Sequence, residues 1–376
     1  YSINMYIFLD ASISELDFNN SDNLSKIEFL FMGYAEGNYI LSAPRFLLRQ
    51  FLYNENLSKL ARNAIAFAYE NFSMMQSFFS KIPFKITIKR DFDVKNEKDQ
   101  WIIDLDNINY GFLANGITIL AENLNDSKFL NYTARHFQLT NDNYKIFKII
   151  NNFHGGGGST TPNELKNLLN QKLNYIFCFL DSDKESPHCI ETSTAKKCIK
   201  NINENLWIAK FCSTKNFREA ENLIPKSLLE SIEHFPTSNL EYIRYIENKY
   251  NINFYPYIDI KNGLTKKFIN KVRSTESPKK KFWEDIIRHL KTENINIDCN
   301  IINGKCETHI ELKESVCQII PAGTQKTLEQ TIQFLENTDI NDSFKIIKND
   351  NTNKEWFEIG EIVFWLSCAL PKIRLS

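Results

Sequence analysis

"GITILAENLNDSKFL", residues 116–130, runs apolar through Ala121 and then stops on Glu122, with a second acid, Asp126, four residues on. It reads as a buried strand that hands over to a helix at a carboxylate. The pattern continues downstream, where the apolar runs "YKIFKII" (144–150), "NYIFCFLDSD" (174–183) and "NLWIAKFC" (205–212) follow in turn. Between them lie "NDSKFLNYTARHF", "PNELKNLLNQKL" and "ETSTAKKCIKNIN", each with helical periodicity. Strands that are apolar on both faces and separated by helix-length segments build a parallel sheet covered by helices. The expectation is an α/β fold with a central, mostly parallel Rossmann-like sheet over residues 111–234.

The flanks read differently. Residues 1–110 mix helical spacing (42–82) with the alternating strands "PFKITIKRDFDV" and "QWIIDL", an α+β region of unassigned role. Residues 235–376 are mainly helical, and "EWFEIGEIVFWLSCAL" near their end reads as a buried helix. The segment "YPYIDIKNGL" (255–264) reads as structural.

The bulk numbers bound the function. A chain of 376 residues with 43% hydrophobic content supports two or three packed domains. Lys plus Arg number 45 against 46 Asp plus Glu, so a polyanion would have to be met by a local patch. Apolar runs are strand-length and no signal peptide opens the chain, which points to a cytoplasmic protein with no membrane partner. The eight cysteines contain no CxxC pair and read as reduced packing residues. No GxxxxGK[ST] is present, which disfavours a P-loop ATPase. The Asn-rich, Gly-poor composition suggests a bacterial coding sequence.

In a parallel sheet, function gathers at the carboxyl ends of the strands. Glu122 and Asp126 follow the first strand, and Asp181 and Asp183 follow the third, where an extended chain would send both to one side. Such a set of carboxylates repels itself unless a cation sits among them, and oxygen-only ligation suits Mg²⁺ or Mn²⁺. "NFHGGGGSTTPNEL" (152–165) places Gly155, Gly156, Gly157, Gly158 and Ser159 before a helix whose start is signalled by Thr161, Pro162 and Glu164 as a capping box. Glycine amides at a helix start suit a phosphate.

These residues resemble a TOPRIM domain of the OLD-like, phage-defence-associated kind. "AENLNDSKFL" is similar to the family's Glu-Gly-x-x-Asp start, "FLDSDK" to its Asp-x-Asp motif, and "NFREAENLIPKSLLESI" (216–232) to its Glu-Asn-x-Ile-Pro segment. The likeness covers roughly residues 112–232, and Asn123 stands where the family has Gly. The resemblance implies a TOPRIM-like catalytic domain and metal-dependent cleavage of nucleic-acid phosphodiesters, in DNA or RNA, by water. It implies Glu122 as metal ligand and general acid/base, Asp181 and Asp183 as ligands, Asp126 as an inner- or outer-sphere ligand and Glu221 as a second-metal ligand. Lys184 or Lys226 would offset phosphate charge. Apart from the resemblance, Lys279, Lys280 and Lys281 form a small basic run beside aromatics, which reads as a solvated face or, as the second reading, a nucleic-acid contact shared with Lys226. By analogy the chain would be an anti-phage effector with a protein regulator or a homo-oligomeric state. Two alternatives stay open: a catalytically quiet TOPRIM-like module that binds nucleic acid or protein, and a phosphohydrolase or phosphotransferase acting on nucleotides.

Overall fold

The computed structural model describes residues 6–373 except 80–81, 83–84, 98–99, 110, 113–115, 206, 234, 275–277, 298–300, 303–304, 307–316 and 322. Contacts divide the chain into two compact units. One is Tyr1–Cys178 with Lys197–Phe211 and Phe357–Ser376; the other is Phe179–Lys196 with Cys212–Trp356. These units do not coincide with the three stretches 1–110, 111–234 and 235–376.

The chain is α/β. Its amino-terminal stretch is more regular than an α+β mixture, because β1 (Tyr6–Leu9), β2 (Ile40–Ser42), β3 (Lys85–Lys89), β4 (Lys95–Asn96) and β5 (Gln100–Asp104) form one sheet in the order β2-β1-β3-β5-β4. β1 pairs parallel with β2 and β3, and β3 with β5; β4 is antiparallel to β5. The helix Ser21–Glu36 carries the chain from β1 to β2. Asn20 caps its start, and Gly37, at φ +77, ends it in the left-handed conformation.

The second sheet holds the four strands read from sequence, with one shift. β6 (Ile117–Ala121), β8 (Asn151–Gly155), β9 (Ile176–Leu180) and β10 (Ala209–Ser213) take the order β10-β9-β6-β8. β6 is parallel to both β8 and β9, and Ile119 is opposite Phe153 on one side and Phe177 on the other. β6 and β9 are buried at every position, which is why their sequences are continuously apolar. The expected second strand, 144–150, is instead a 3₁₀ turn, Asp142–Ile146, followed by β7 (Lys148–Ile149). β8 is half-exposed and Asn-rich, so as an outer strand it has no apolar run to announce it. Phe147 is apolar because it packs against Phe364 and Trp365.

Phe364 and Trp365 lie on the helix Lys354–Ser367, buried as expected. The next strand, β15 (Cys368–Ala369), pairs antiparallel with β7. The helix Leu124–Gln138 passes close to Gly360, where an added Cβ would lie 2.8 Å from the Thr133 carbonyl carbon and 3.2 Å from the Phe137 Cβ. Helix propensity alone favours alanine over glycine by about 1 kcal/mol. The backbone contact reverses that sign, so Gly360→Ala is expected to lower stability by about 1–3 kcal/mol. Urea unfolding tests this, and a neutral or stabilising result would refute the close approach.

Candidate functional site

The first unit holds the Glu122 end of the second sheet. Asn123 begins the helix Leu124–Gln138 with an extended backbone, φ −137 and ψ 171, which any residue adopts. The family's glycine is therefore not needed here. The Asn123 Oδ1 accepts the amides of Asn125 and Asp126 at 2.8 and 3.1 Å, while the Asp126 Oδ2 accepts the Asn123 amide at 3.0 Å. This is a reciprocal capping box, and it gives buried Asp126 a structural task through its Oδ2. Glu122 is half-buried. Its carboxylate opposes ionisation of Cys198, whose thiol is nevertheless lowered, chiefly by the hydrogen bond with Cys178 and against burial.

The glycine run is also structural. The amide of Gly156 donates to the Ala121 carbonyl at 2.7 Å, and those of Gly157 and Gly158 donate to the Glu122 carbonyl at 2.8 and 3.2 Å. Three amides expected to cradle a phosphate are thus already engaged, and Ser159 lies exposed in the 3₁₀ turn Gly158–Thr160. Gly157 and Gly158 sit at φ +74 and +65, which accounts for glycine at both. The expected capping box does not form: Thr160 is the N-cap, but its hydroxyl donates back to the Gly156 and Gly157 carbonyls at 2.6 and 3.2 Å, and the Thr161 hydroxyl donates to the Gly158 carbonyl.

The second unit contains the loops after β9 and β10, joined by a dense set of hydrogen bonds. Ser182 donates its amide to Thr214 Oγ1 at 2.8 Å and its hydroxyl to the Phe217 carbonyl. The Asp183 amide donates to the Arg218 carbonyl at 2.9 Å, and the Asp181 Oδ1 accepts the Ala220 amide at 2.9 Å. Asp183 has φ +51, so the loop is not the extended chain that would pair Asp181 and Asp183 on one side.

Around these loops stands a cluster that the motifs only partly foretold. Glu221 is 3% exposed, and Lys261 Nζ lies 2.9 Å from its Oε1. Lys261 also lies 3.9 Å from Glu219 Oε2, and Arg218 reaches Glu219 at 3.5 Å and Asp259 at 3.3 Å. Burial pushes the Glu219 carboxyl up to about 7; Asp259 and Glu221 push the same way, and Lys261 and Arg218 oppose it. Asp183 is raised too, mainly by burial, with Arg218 pulling against it and Glu185 adding to it. Burial alone would lower Lys261, but Glu221, Glu219 and Asp181 outweigh it and hold the ammonium charged. Arg218, Glu219, Asp259 and Lys261 escaped the sequence reading. The available signal was "DIKNG", a turn sequence inside the segment read as structural.

Beside this cluster opens a cavity of about 470 Å³ whose lining includes Arg218, Asp259, Lys267, Phe268, Lys271 and Gln325. The Arg218 guanidinium stands over the Phe268 ring, 5.8 Å from its centroid. Glu185, at the cavity wall, binds Lys271 at 2.7 Å and Lys279 at 2.6 Å. Burial would raise Glu185, but those two ammonium groups leave it lowered. Lys279 is therefore held in an ion pair, Lys280 is half-buried and Lys281 is exposed. Lys184 is half-buried. Lys226, expected at phosphate, is instead 3% exposed, paired with Glu247 at 3.1 Å and set over the Tyr255 ring, out of reach of a polymer.

The carboxylates are chemically right for Mg²⁺ or Mn²⁺, but as arranged they do not fit one. Glu221 is paired with Lys261, Asp181 accepts a backbone amide and Asp126 caps a helix. Among the described residues no group of three or more His, Cys, Asp or Glu is placed to hold a metal. Among them, too, no helix is long and apolar enough to cross a membrane. No protein-family model matches the chain, and no curated protein or solved structure matches it either.

Two consequences can be measured. Lys261→Met leaves buried Glu221 without its cation. Breaking a buried pair costs about 3–5 kcal/mol, and the partial exposure of Lys261 places the expected loss at the lower end. Chemical denaturation at neutral pH tests it, and an unchanged midpoint would show that the pair contributes nothing.

The second concerns pH. Glu219 ionises near 7 in the fold against an ordinary 4.5, so the native state holds its proton more tightly than the unfolded chain. Its contribution is complete below pH 4.5 and is lost as pH rises through about 7. Glu219→Gln removes that titration, so the stability of the variant relative to wild type is expected to rise between pH 4.5 and 7.5. Parallel stability curves would contradict the assignment.

Proposed function

We propose that this chain hydrolyses phosphodiester bonds of nucleic acid, as a TOPRIM-like nuclease, through the acidic loops that follow β9 and β10. The observation that carries the reading is Glu219, a carboxyl that titrates near 7 with the cations Lys261 and Arg218 beside it. A group with that pKa donates and accepts protons at neutral pH, as general acid–base catalysis needs. Lys261 and Arg218 carry the positive charge that a phosphate with developing negative charge requires. The order of motifs supports the same reading: Glu122 directly follows β6, Asp181 directly follows β9, and "ENLIP" comes after β10. A cytoplasmic anti-phage effector with a protein regulator or a second copy as partner is the setting the resemblance implies.

A second reading, a phosphohydrolase acting on free nucleotides, is favoured by the cavity. Its volume of about 470 Å³ and its Arg218–Phe268 wall suit a single nucleotide. The quiet binding module is favoured by the engaged carboxylates.

Plasmid, single-stranded DNA, RNA and mononucleotides, each incubated with Mg²⁺, Mn²⁺ or EDTA, separate the three. The expected outcome is polymer cleavage that falls by about 10²–10⁴-fold in Glu219→Gln and is lost when Asp181→Ala is added. Cleavage that survives the double substitution rules out this site. Turnover of mononucleotides with polymers intact selects the second reading, and binding without turnover selects the third.

A further inference from the structure

Acids and bases balance over the whole chain, but residues 45–62, "RFLLRQFLYNENLSKLAR", hold the four cations Arg45, Arg49, Lys59 and Arg62 against one acid, Glu55. They form the helix Arg45–Leu52 and the start of the helix Lys59–Glu70, which Ser58 caps. Leu47, Leu48 and Phe51 bury one side of the first helix. Its other side carries Arg45 and Arg49 one turn apart, and the stripe continues to Tyr53, the residue that ends the helix. Phe46 and Gln50 lie beside this stripe, and all five side chains are exposed.

The face is aromatic as well as basic. Phe46 and Tyr53 are 55% and 71% exposed, although large rings are ordinarily packed. The Arg49 guanidinium stands over the Tyr53 ring at 5.9 Å, and that of Arg45 over the ring of Tyr69, on the second helix, at 5.0 Å. Among the described residues neither arginine is ion-paired. Arg62 lies about two turns before Tyr69 on the same stripe of the second helix, and its Nε is buried without a hydrogen bond. A guanidinium stacked on a ring keeps its N–H groups for an anion, and an exposed ring offers a flat surface to a base. An acidic peptide would meet the arginines but leave the rings unused. An apolar helix would cover the rings but bury unpaired charge. A single nucleic-acid strand supplies phosphates and unstacked bases together.

We infer that the outer face of the helix Arg45–Leu52, with Tyr53, is a binding surface for single-stranded nucleic acid, Arg45 and Arg49 meeting phosphates and Phe46 and Tyr53 stacking on bases. The two arginines are about 6 Å apart along the helix axis, so they engage separate phosphates. Charge and stacking carry the contact, which makes it tolerant of sequence and sensitive to salt. The surface does not rest on the nuclease reading. It needs neither a metal nor a proton transfer, and its residues belong to the first unit, whereas Arg218, Glu219 and Lys261 belong to the second.

Fluorescein-labelled oligothymidylate and oligouridylate, titrated with the full chain in EDTA and followed by anisotropy, are expected to bind with an affinity that falls as salt rises. Arg45→Ala and Arg49→Ala should each reduce the slope of log affinity against log salt by about 0.7. Tyr53→Ala should weaken binding about 5- to 100-fold, while Tyr53→Phe should keep it. Lys348→Ala, at an exposed position in the second unit, should bind as wild type does. Thermal unfolding of every variant should match wild type, because each replaced side chain is exposed. Wild-type protein that binds neither strand overturns the surface, as does undiminished binding by the Arg45→Ala, Arg49→Ala double variant. Displacement by polyglutamate as readily as by unlabelled oligothymidylate also overturns it, in favour of an acidic protein partner. Cleavage in Mg²⁺ is a separate readout, so a chain that binds strands without cutting them upholds this surface and refutes the nuclease reading.

Discussion

A carboxylate with 3% of its surface exposed must be met by a cation, and at Glu221 that cation is Lys261. Much of the second unit follows from this need. Lys261 rides on a tight turn closed by the Gly263 amide on the Asp259 carbonyl at 2.6 Å, with Gly263 at φ +67. The Asp259 side chain accepts both the backbone and side-chain nitrogens of Asn262 at 2.8 and 2.9 Å, and the same carboxylate holds Arg218. On the other side, the Asn222 amide group donates to the carbonyls of Tyr255 and Ile258 at 2.9 Å each. Glu221 and Lys261 are thus brought together by backbone on both flanks, and neither turn is free to change shape alone.

Carboxylates gather at the carboxyl ends of parallel strands for two different reasons, and hydrogen-bond accounting separates them. Each such strand hands over to a helix start with unsatisfied amides, which short polar side chains fill. Asp126 belongs to that class, because its oxygen is bound to the Asn123 amide. Glu219 also stands at a helix start, before the 3₁₀ turn Ala220–Leu223 with its amide donated to the Asn222 side chain at 3.0 Å, but one of its carboxylate oxygens is buried without a hydrogen bond and its proton affinity is raised. A cap is stabilised by being charged, whereas a carboxyl that resists ionisation near neutral pH is suited to moving a proton.

The sheet was legible in the sequence where burial is symmetrical. "ITILA" and "IFCFL" are buried on both faces, so an unbroken apolar run identified each strand. β8 was hidden because an outer, half-exposed strand can be Asn-rich, and the neighbouring run 144–150 is apolar to fill an aromatic cluster with Phe364 and Trp365. In the second unit, Asp181, Asp183 and Glu221 could be read because a strand or motif flanks them, as one flanks Glu122 in the first. Arg218, Asp259 and Lys261 could not, since their role depends on a turn 41 residues beyond Arg218 meeting the loop that follows β10. The glycine run misled for a related reason: sequence shows that amides are accessible, but not that strand carbonyls have already taken them.

Burial and charge balance within the second unit together explain why its acids behave unequally. Asp181, Asp183, Glu219, Glu221 and Asp259 face the two interior cations Arg218 and Lys261. The cations are shared unevenly, with Lys261 closest to Glu221 and Arg218 divided between Asp259 and Glu219. Burial is the main cause of the tighter proton binding at Glu219 and Asp183; Asp259 and Glu221 add to it at Glu219, and Glu185 adds to it at Asp183. A fixed lysine and a retained proton thus provide the neutralisation that an inner divalent ion would otherwise supply. Protons, unlike a lysine, can leave, so on the proposed reading Glu219 is the member of the cluster that would move one.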